Sequence, residues 1–252
     1  VAAVAFIEWR MDTIDAGLRE IRLAGKARVA EGTMAFHFAK PQGFTFKAGQ
    51  AIDVVLDDPG GGTFGHAFSL VSAPFEAELV VATRMRDTAY KRALGALEIG
   101  GGARVEGPFG SLTLHNDRPR AAVFIAGGIG ITPFLSILRQ AVHDRREQPL
   151  ALLYSNRRPE DAAYLDELNR LAATHRHLRL LATMTESARS GVAWNGETRP
   201  IGEKLVRTAA AGLPRPIFYV AGPPGMVVAA RKALSAEGVD DDDIRSEEFH
   251  GY

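Results

Sequence analysis

The sequence predicts a two-domain chain: an N-terminal antiparallel β-barrel followed by an α/β domain on a five-stranded parallel sheet. Three observations lead there. Before about His115, short stretches alternate apolar and polar residues between glycine, proline and aspartate turns. After Arg120, apolar runs of strand length alternate with helical patterns. Two of those runs break into glycine-rich turns, Gly127–Pro133 (GGIGITP) and Ala221–Met226 (AGPPGM).

The elements follow in order. Residues 1–17 read as an N-terminal extension, either helical or loosely extended. The barrel occupies 18–117, with strands at Met34–Phe38, Ile52–Leu56, Phe68–Val71, Leu79–Thr83, Ala103–Glu106 and Leu112–Leu114. Thr88–Leu97 is the one short helical stretch among them. The polar segment His115–Arg120 (HNDRPR) marks the divide. The second domain, 118–252, has apolar runs at Ala121–Ala126, Leu150–Ser155, Leu178–Thr183 and Ile217–Ala221. Ile131, Phe134, Leu138, Ala141 and Val142 share one helical face. Pro159 suits the first turn of a second helix carrying Leu165, Leu168 and Leu171. Ile201, Leu205 and Ala209 mark a third. Met226–Glu237 forms a fourth, with Gly238 as its stop. Strand–helix–strand units joined by short connections require a parallel sheet covered on both faces.

Composition narrows the function. Of 252 residues, 46% are hydrophobic and 24% charged, the balance of a globular chain with a substantial core. Basic and acidic residues number 30 each, so nothing favours nucleic-acid binding. With no cysteine, disulfides, thiolate metal sites and cysteine nucleophiles are excluded within this chain. The seven histidines show no metal-ligand spacing. No apolar run approaches the ~20 residues of a membrane span. The opening VAAVAFIEW lacks the basic flank and cleavage site of a leader, so a cytoplasmic location is expected.

Four segments carry the candidate chemistry. In Gly127–Pro133, glycines allow close backbone approach to a phosphate, and a helix start supplies free N–H groups and the positive dipole end. Glycine motifs also occur as plain turns; the flanking strand and helix argue against that here. Ala221–Met226 repeats the logic, with prolines that stiffen a thin floor for a planar ring. In His66–Pro74, Phe68 and Leu70 fall on one strand face, Ser69 and Val71 on the other. That pattern fits a core strand with incidental serines as well as an aromatic stacking surface beside a hydroxyl donor. The ending Glu247-Glu248-Phe249-His250-Gly251-Tyr252 reads as a solvated tail or as a cover over a site.

Together, and in this order, these motifs resemble the ferredoxin–NADP reductase superfamily, in its bacterial branch of flavin reductases and oxygenase reductase components. The resemblance covers about residues 18–252. It implies that Phe68, in His66-Ala67-Phe68-Ser69, packs on a flavin and that Ser69 lies near the ring nitrogen receiving hydride. His66 stands where the family has an arginine on the flavin phosphates, and Arg84 and Arg86 lie close by in sequence. Thr88 falls in the family's flavin-phosphate segment, and Gly107–Gly110 matches a late turn of the flavin domain. Gly127, Gly128, Gly130, Thr132 and Pro133 match the dinucleotide pyrophosphate loop. Gly222 and Pro223 match the turn beside the nicotinamide. Glu247 is implied as a proton relay and Phe249 as a ring shielding the flavin, with Tyr252 reaching toward it. The implied cofactors are FAD, in preference to FMN, and NADH or NADPH. Glu186, in Met184-Thr185-Glu186, tilts the choice toward NADH, against Arg157, Arg158 and Arg189. The implied partner is a separate electron acceptor: a ferredoxin, a flavodoxin, an oxygenase or a small molecule. A second reading is a reductase-like scaffold that has lost its flavin and serves as a nucleotide-binding or interaction module.

Overall fold

The structure, a computed structural model, describes residues 17–58 and 60–249. The expectations on residues 1–16 and on Tyr252 lie outside the described residues.

The first domain has six strands and one helix: β1 (Arg19–Ala30), β2 (Thr33–Ala39), β3 (Ala51–Asp57), β4 (Thr63–Ser69), β5 (Glu78–Arg84), α1 (Ala89–Ala96) and β6 (Gly102–Phe109). The strands form one antiparallel sheet in the order β4-β3-β6-β1-β2-β5. It curls into a barrel whose edges meet only just past β4, at the Leu70–Val81 bridge. Alternation sends Ile52, Val54, Phe68 and Val81 inward with Phe36 and Phe38. Helix α1 fits against this core through Leu94 and Tyr90, whose hydroxyl donates to the Val54 carbonyl at 2.7 Å.

Two expectations need correction here. Strand β1 is absent from the sequence reading, because charged residues and a glycine interrupt its apolar positions and only Ile21 and Leu23 are buried. Conversely, Leu112–Leu114 is not a strand. It belongs to the connection between domains, with Leu112 buried against the second domain.

The second domain runs β7 (Ala122–Gly127), α2 (Ile131–His143), β8 (Leu150–Asn156), α3 (Leu165–Thr174), β9 (Leu178–Met184), α4 (Glu203–Ala210), β10 (Ile217–Gly222), α5 (Pro224–Ala236) and β11 (Ile244–Glu248). The five strands are parallel, in the order β11-β10-β7-β8-β9. The chain leaves β7 toward β8 on one side, and β10 later lines up on the other. A topological switch point therefore lies between β7 and β10, where α/β sheets open a crevice at the strands' C-terminal ends.

Helices cover both faces, as expected. Val123 and Ile125 of β7 pack toward α4 and α5, while Ala122, Phe124 and Ala126 pack toward α2. Helix α2 is more deeply buried than a one-faced pattern predicts: every residue from Ile131 to Leu138 is buried. The barrel supplies the second cover, because Ala35, Val71, Val80, Ala82 and Leu112 join the same apolar cluster. Ser136 adds a polar tie, donating to the Ser72 carbonyl at 2.7 Å. Pro159 does not start α3; it opens a separate 3-10 turn, Pro159–Asp161, and α3 begins after Tyr164, held at φ 60°. Gly238 does follow α5, at φ 78°.

Candidate active site

The two glycine turns touch. A Cβ at Gly130 would lie 2.2 Å from the Ala221 carbonyl oxygen, and one at Gly222 would lie 3.0 Å from the Gly127 oxygen. No side chain fits between them, which is the physical reason for glycine at these places. Gly128 differs: it has φ 54° and open space where a side chain would stand. Its backbone faces a cleft of about 300 Å³ between the domains. The barrel contributes Thr33, Arg84 and Arg86 to that cleft; the α/β domain contributes Gly127–Ile129, Ser155–Arg157, Asp161, Thr185, Pro223, Met226 and Phe249. A larger groove, about 630 Å³, lies at the other end of β7 and β10 around Arg120 and Arg215 and holds none of the motif residues.

The structure separates the predicted residues into those at the cleft and those elsewhere. Gly127, Gly128, Arg84, Pro223 and Phe249 line it. Phe249 follows β11, and its backbone N–H donates to the Gly222 carbonyl at 2.9 Å, which fixes its ring beside the second turn. Thr132 is buried, and its hydroxyl donates within the turn to the Ile129 carbonyl at 3.1 Å. Pro133 is likewise buried in the first turn of α2. Both shape the loop from behind.

Phe68 is placed differently from the implied role. It is only 2% exposed and belongs to the barrel core. His66 stacks on it with ring centroids 4.6 Å apart, and Tyr90 lies 6.0 Å away. Period-two alternation explains this: Phe68 pairs with Ile52 on the inner face, while Ser69 pairs with Ala51 on the other. Ring and hydroxyl therefore point to opposite sides of β4. His66 is turned to its own strand, with Nδ1 2.8 Å from the Ala67 carbonyl. Burial, aided by the nearby Lys91, pushes its pKa down. Thr88 caps α1 by accepting from the Lys91 N–H at 3.2 Å.

An ion network stitches the cleft's rim. Asp161 accepts from Arg84 at 3.3 Å and from Arg158 at 3.0 and 3.1 Å, and Arg158 also reaches Glu31 of the barrel at 3.0 Å. The sequence reading did not single out Asp161, because its role exists only once the domains meet. Glu186 stands 2.9 Å from Arg189 and 4.0 Å from Arg157, so one carboxylate opposes two guanidiniums at the end of β9. Glu247, on β11 opposite Ala221, is half-buried, and desolvation raises its carboxyl above the ordinary value. Asn156 is 6% exposed at the cleft, with its side-chain amide beside the Tyr154 hydroxyl. The sequence offered it only as one of a polar run, Ser155–Arg158.

Among the described residues there is no metal-ligating cluster and no helix long and apolar enough to cross a membrane.

Comparisons with known proteins agree with this geometry. The family described as the oxidoreductase NAD-binding domain matches residues 124–232. Ferredoxin–NADP reductase B of Sorangium cellulosum is 32% identical over 212 residues, covering 81% of this chain and 85% of the relative. The reductase component of propane 2-monooxygenase from Mycolicibacterium smegmatis is 30% identical over 216 residues; this chain spans only 61% of its length. A ferredoxin NADP+ reductase from Neisseria gonorrhoeae, solved with FAD and NADP, has the same fold at TM-score 0.79 and 22% identity, covering 93% of this chain and 99% of that one. The touching glycine turns, the switch-point cleft and these relatives converge: the chain belongs to the ferredoxin–NADP reductase superfamily and is an NAD(P)H-dependent flavoprotein reductase.

Proposed function

We propose that this reductase takes a hydride from NADH onto an FAD between its domains and passes the electrons to a separate acceptor. That acceptor is a ferredoxin, a flavodoxin, an oxygenase or a small molecule. The observation that carries the reading is the contact of the two turns, Gly127–Gly130 against Ala221–Gly222, beneath a cleft rimmed by an aromatic ring and by guanidiniums.

The residues present fit a dinucleotide. Gly128 offers open backbone beside the start of α2, and Asn156 adds a buried amide to the cleft wall. They also fit a planar, phosphate-bearing ring: Phe249 supplies an aromatic wall, and Arg84 and Arg86 supply positive charge from the barrel side. Phe68 does not offer an open stacking face, so in this reading it supports His66 from inside the barrel. Bound flavin supplies the conversion between two-electron hydride chemistry and single-electron transfer.

The chain's own groups do the rest. The α2 N-terminus and the Gly128 backbone would hold the pyrophosphate. Phe249 would cover the ring and give way to the nicotinamide. Ser69 would donate a hydrogen bond to the flavin edge. Glu247, whose carboxyl burial raises above the ordinary value, would stand beside β10 as the group to carry a proton toward the ring. Glu186 disfavours a 2′-phosphate, because it opposes the two arginines that would bind one.

The test is direct. The purified protein should be yellow, release FAD on denaturation, and be reduced anaerobically by NADH at lower concentration than by NADPH. A colourless protein that takes up no flavin on reconstitution would refute the reading.

A further inference from the structure

Ser136 is fully buried in the middle of α2, and both bonds of its hydroxyl cross to the barrel. The hydroxyl donates to the Ser72 carbonyl at 2.7 Å and accepts from the Gly49 N–H at 3.4 Å. Three residues on, Arg139 donates to the adjacent Val71 carbonyl at 3.3 Å. Residues three apart share a helix face, so α2 grips two consecutive carbonyls of the segment that follows β4.

The barrel holds that segment from its other side. The Ser72 hydroxyl accepts from the Val80 N–H at 2.9 Å, and the Val71 N–H donates to the Val80 carbonyl at 2.8 Å. The Leu70 N–H donates to the Gln50 carbonyl at 2.9 Å. The domains also approach closely here. A Cβ at Gly49, which has φ 95°, would lie 2.2 Å from the Leu112 carbonyl oxygen and 2.9 Å from Ile137 Cδ1. No side chain fits in that gap.

Two arms run from this joint. Ser69, at the end of β4, lies three residues before Ser72. Gly130, in the turn against Ala221, lies six residues before Ser136, about 9 Å back along the helix axis. Helix α2 is rigid, so a shift of Ser136 against Ser72 becomes a shift of the glycine turn against Ser69. Losing the hydroxyl withdraws a buried donor from the Ser72 carbonyl and loosens the joint.

We propose that Ser136 is a positioning residue for hydride transfer: it sets the register between Ser69 of the barrel and the Gly127–Gly130 turn of the α/β domain. The proposal rests on the hydride-transfer reading of the cleft and assigns to the seam the alignment that reading requires. A misplacement of about 1 Å, caused far from the reacting atoms, can cost about a hundredfold in rate.

The test compares Ser136→Ala with wild type, both flavin-loaded. The chain has no cysteine, so Glu98→Cys beside the barrel and Lys204→Cys on α4, both exposed, take nitroxide labels at those two places alone. Double electron–electron resonance reads the distance between the domains. Stopped flow reads flavin reduction at saturating NADH in the unlabelled proteins, and titration with the oxidised dinucleotide reads affinity. Ser136→Ala should broaden or displace the distance distribution and slow reduction about ten- to a hundredfold, with affinity unchanged. Ile21→Val, a core change in the barrel away from the seam, should alter neither distance nor rate. A wild-type distance distribution or a wild-type rate in Ser136→Ala overturns the proposal and leaves the hydride-transfer reading intact. Equal slowing by Ile21→Val overturns it too. So does a Ser136→Ala chain that melting curves show to be unfolded, since the bond then holds the fold and not the register. A flavin-loaded wild type that NADH does not reduce overturns both.

Discussion

Arg139 of α2 forks onto Glu167 of α3, with bonds of 2.7 and 2.9 Å, while the same guanidinium reaches the Val71 carbonyl of the barrel at 3.3 Å. Both partners are mostly buried, and Glu76 adds a second carboxylate at 3.4 Å. Arg139→Met should destabilise the protein by about 2 kcal/mol, because it strands a poorly solvated carboxylate. Arg139→Lys should recover only part, since an ammonium cannot make the fork. Urea denaturation measures both.

Gly130→Ala tests the contact between turns. The added methyl would meet backbone atoms of Ala221 and Gly222 at 2.2–2.7 Å, and backbone cannot swing away as a flexible side chain can. A loss of about 1–3 kcal/mol is expected. It should be accompanied by weaker dinucleotide binding, seen by comparing melting curves and titrations. Gly128→Ala meets no neighbour, and there the cost comes from the positive φ alone.

Ser69→Ala should slow hydride transfer roughly a hundred- to a thousandfold, the range for losing one preorganised donor. Dinucleotide affinity should be almost unchanged. Stopped-flow reduction at saturating NADH separates the two effects.

Phe249 shares the cleft with the two turns proposed to receive the nicotinamide. A stacked ring that must be displaced opposes binding by about 0.5–1.5 kcal/mol. Truncation before Phe249, or Phe249→Ala, should therefore tighten binding of the oxidised dinucleotide by up to about tenfold. Weaker binding in an equilibrium titration would show the ring to be a support instead.

Glu247 sets a pH dependence whose sign is fixed. Its folded pKa lies above the ordinary 4.5, owing to desolvation. The folded chain thus holds this proton more tightly than the unfolded chain. Stability from this group is present below about pH 4.5 and declines as pH rises from there through the folded value. Glu247→Gln should remove that decline and stand above wild type in stability at neutral pH. Denaturation curves across that pH range provide the check.

The features legible in the sequence were those with a local physical cause. Gly130 and Gly222 could be read because close backbone approach admits no other residue. The four apolar strands of the second domain could be read because parallel strands covered on both faces are continuously hydrophobic. Strand β11 could not: Ile244 is its one buried residue, and the edge position lets Arg245, Glu247 and Glu248 remain polar. Residue direction was the other blind spot. The alternation along β4 was visible, yet which face turned inward depended on the barrel closing around Phe68. Asp161 acquires meaning from Arg84, 77 residues away in sequence, and Asn156 from a cleft the sequence does not display.

The apolar cluster shared by the domains has an evolutionary consequence. Helix α2 is coated on one side by its own sheet and on the other by Ala35, Val71, Val80 and Ala82 of the barrel. Neither half is a cassette that could be excised or traded for another reductase's half without re-cutting this seam. Recombination within the superfamily should therefore preserve the barrel and nucleotide domain as a matched pair, and vary what is attached at the chain's ends.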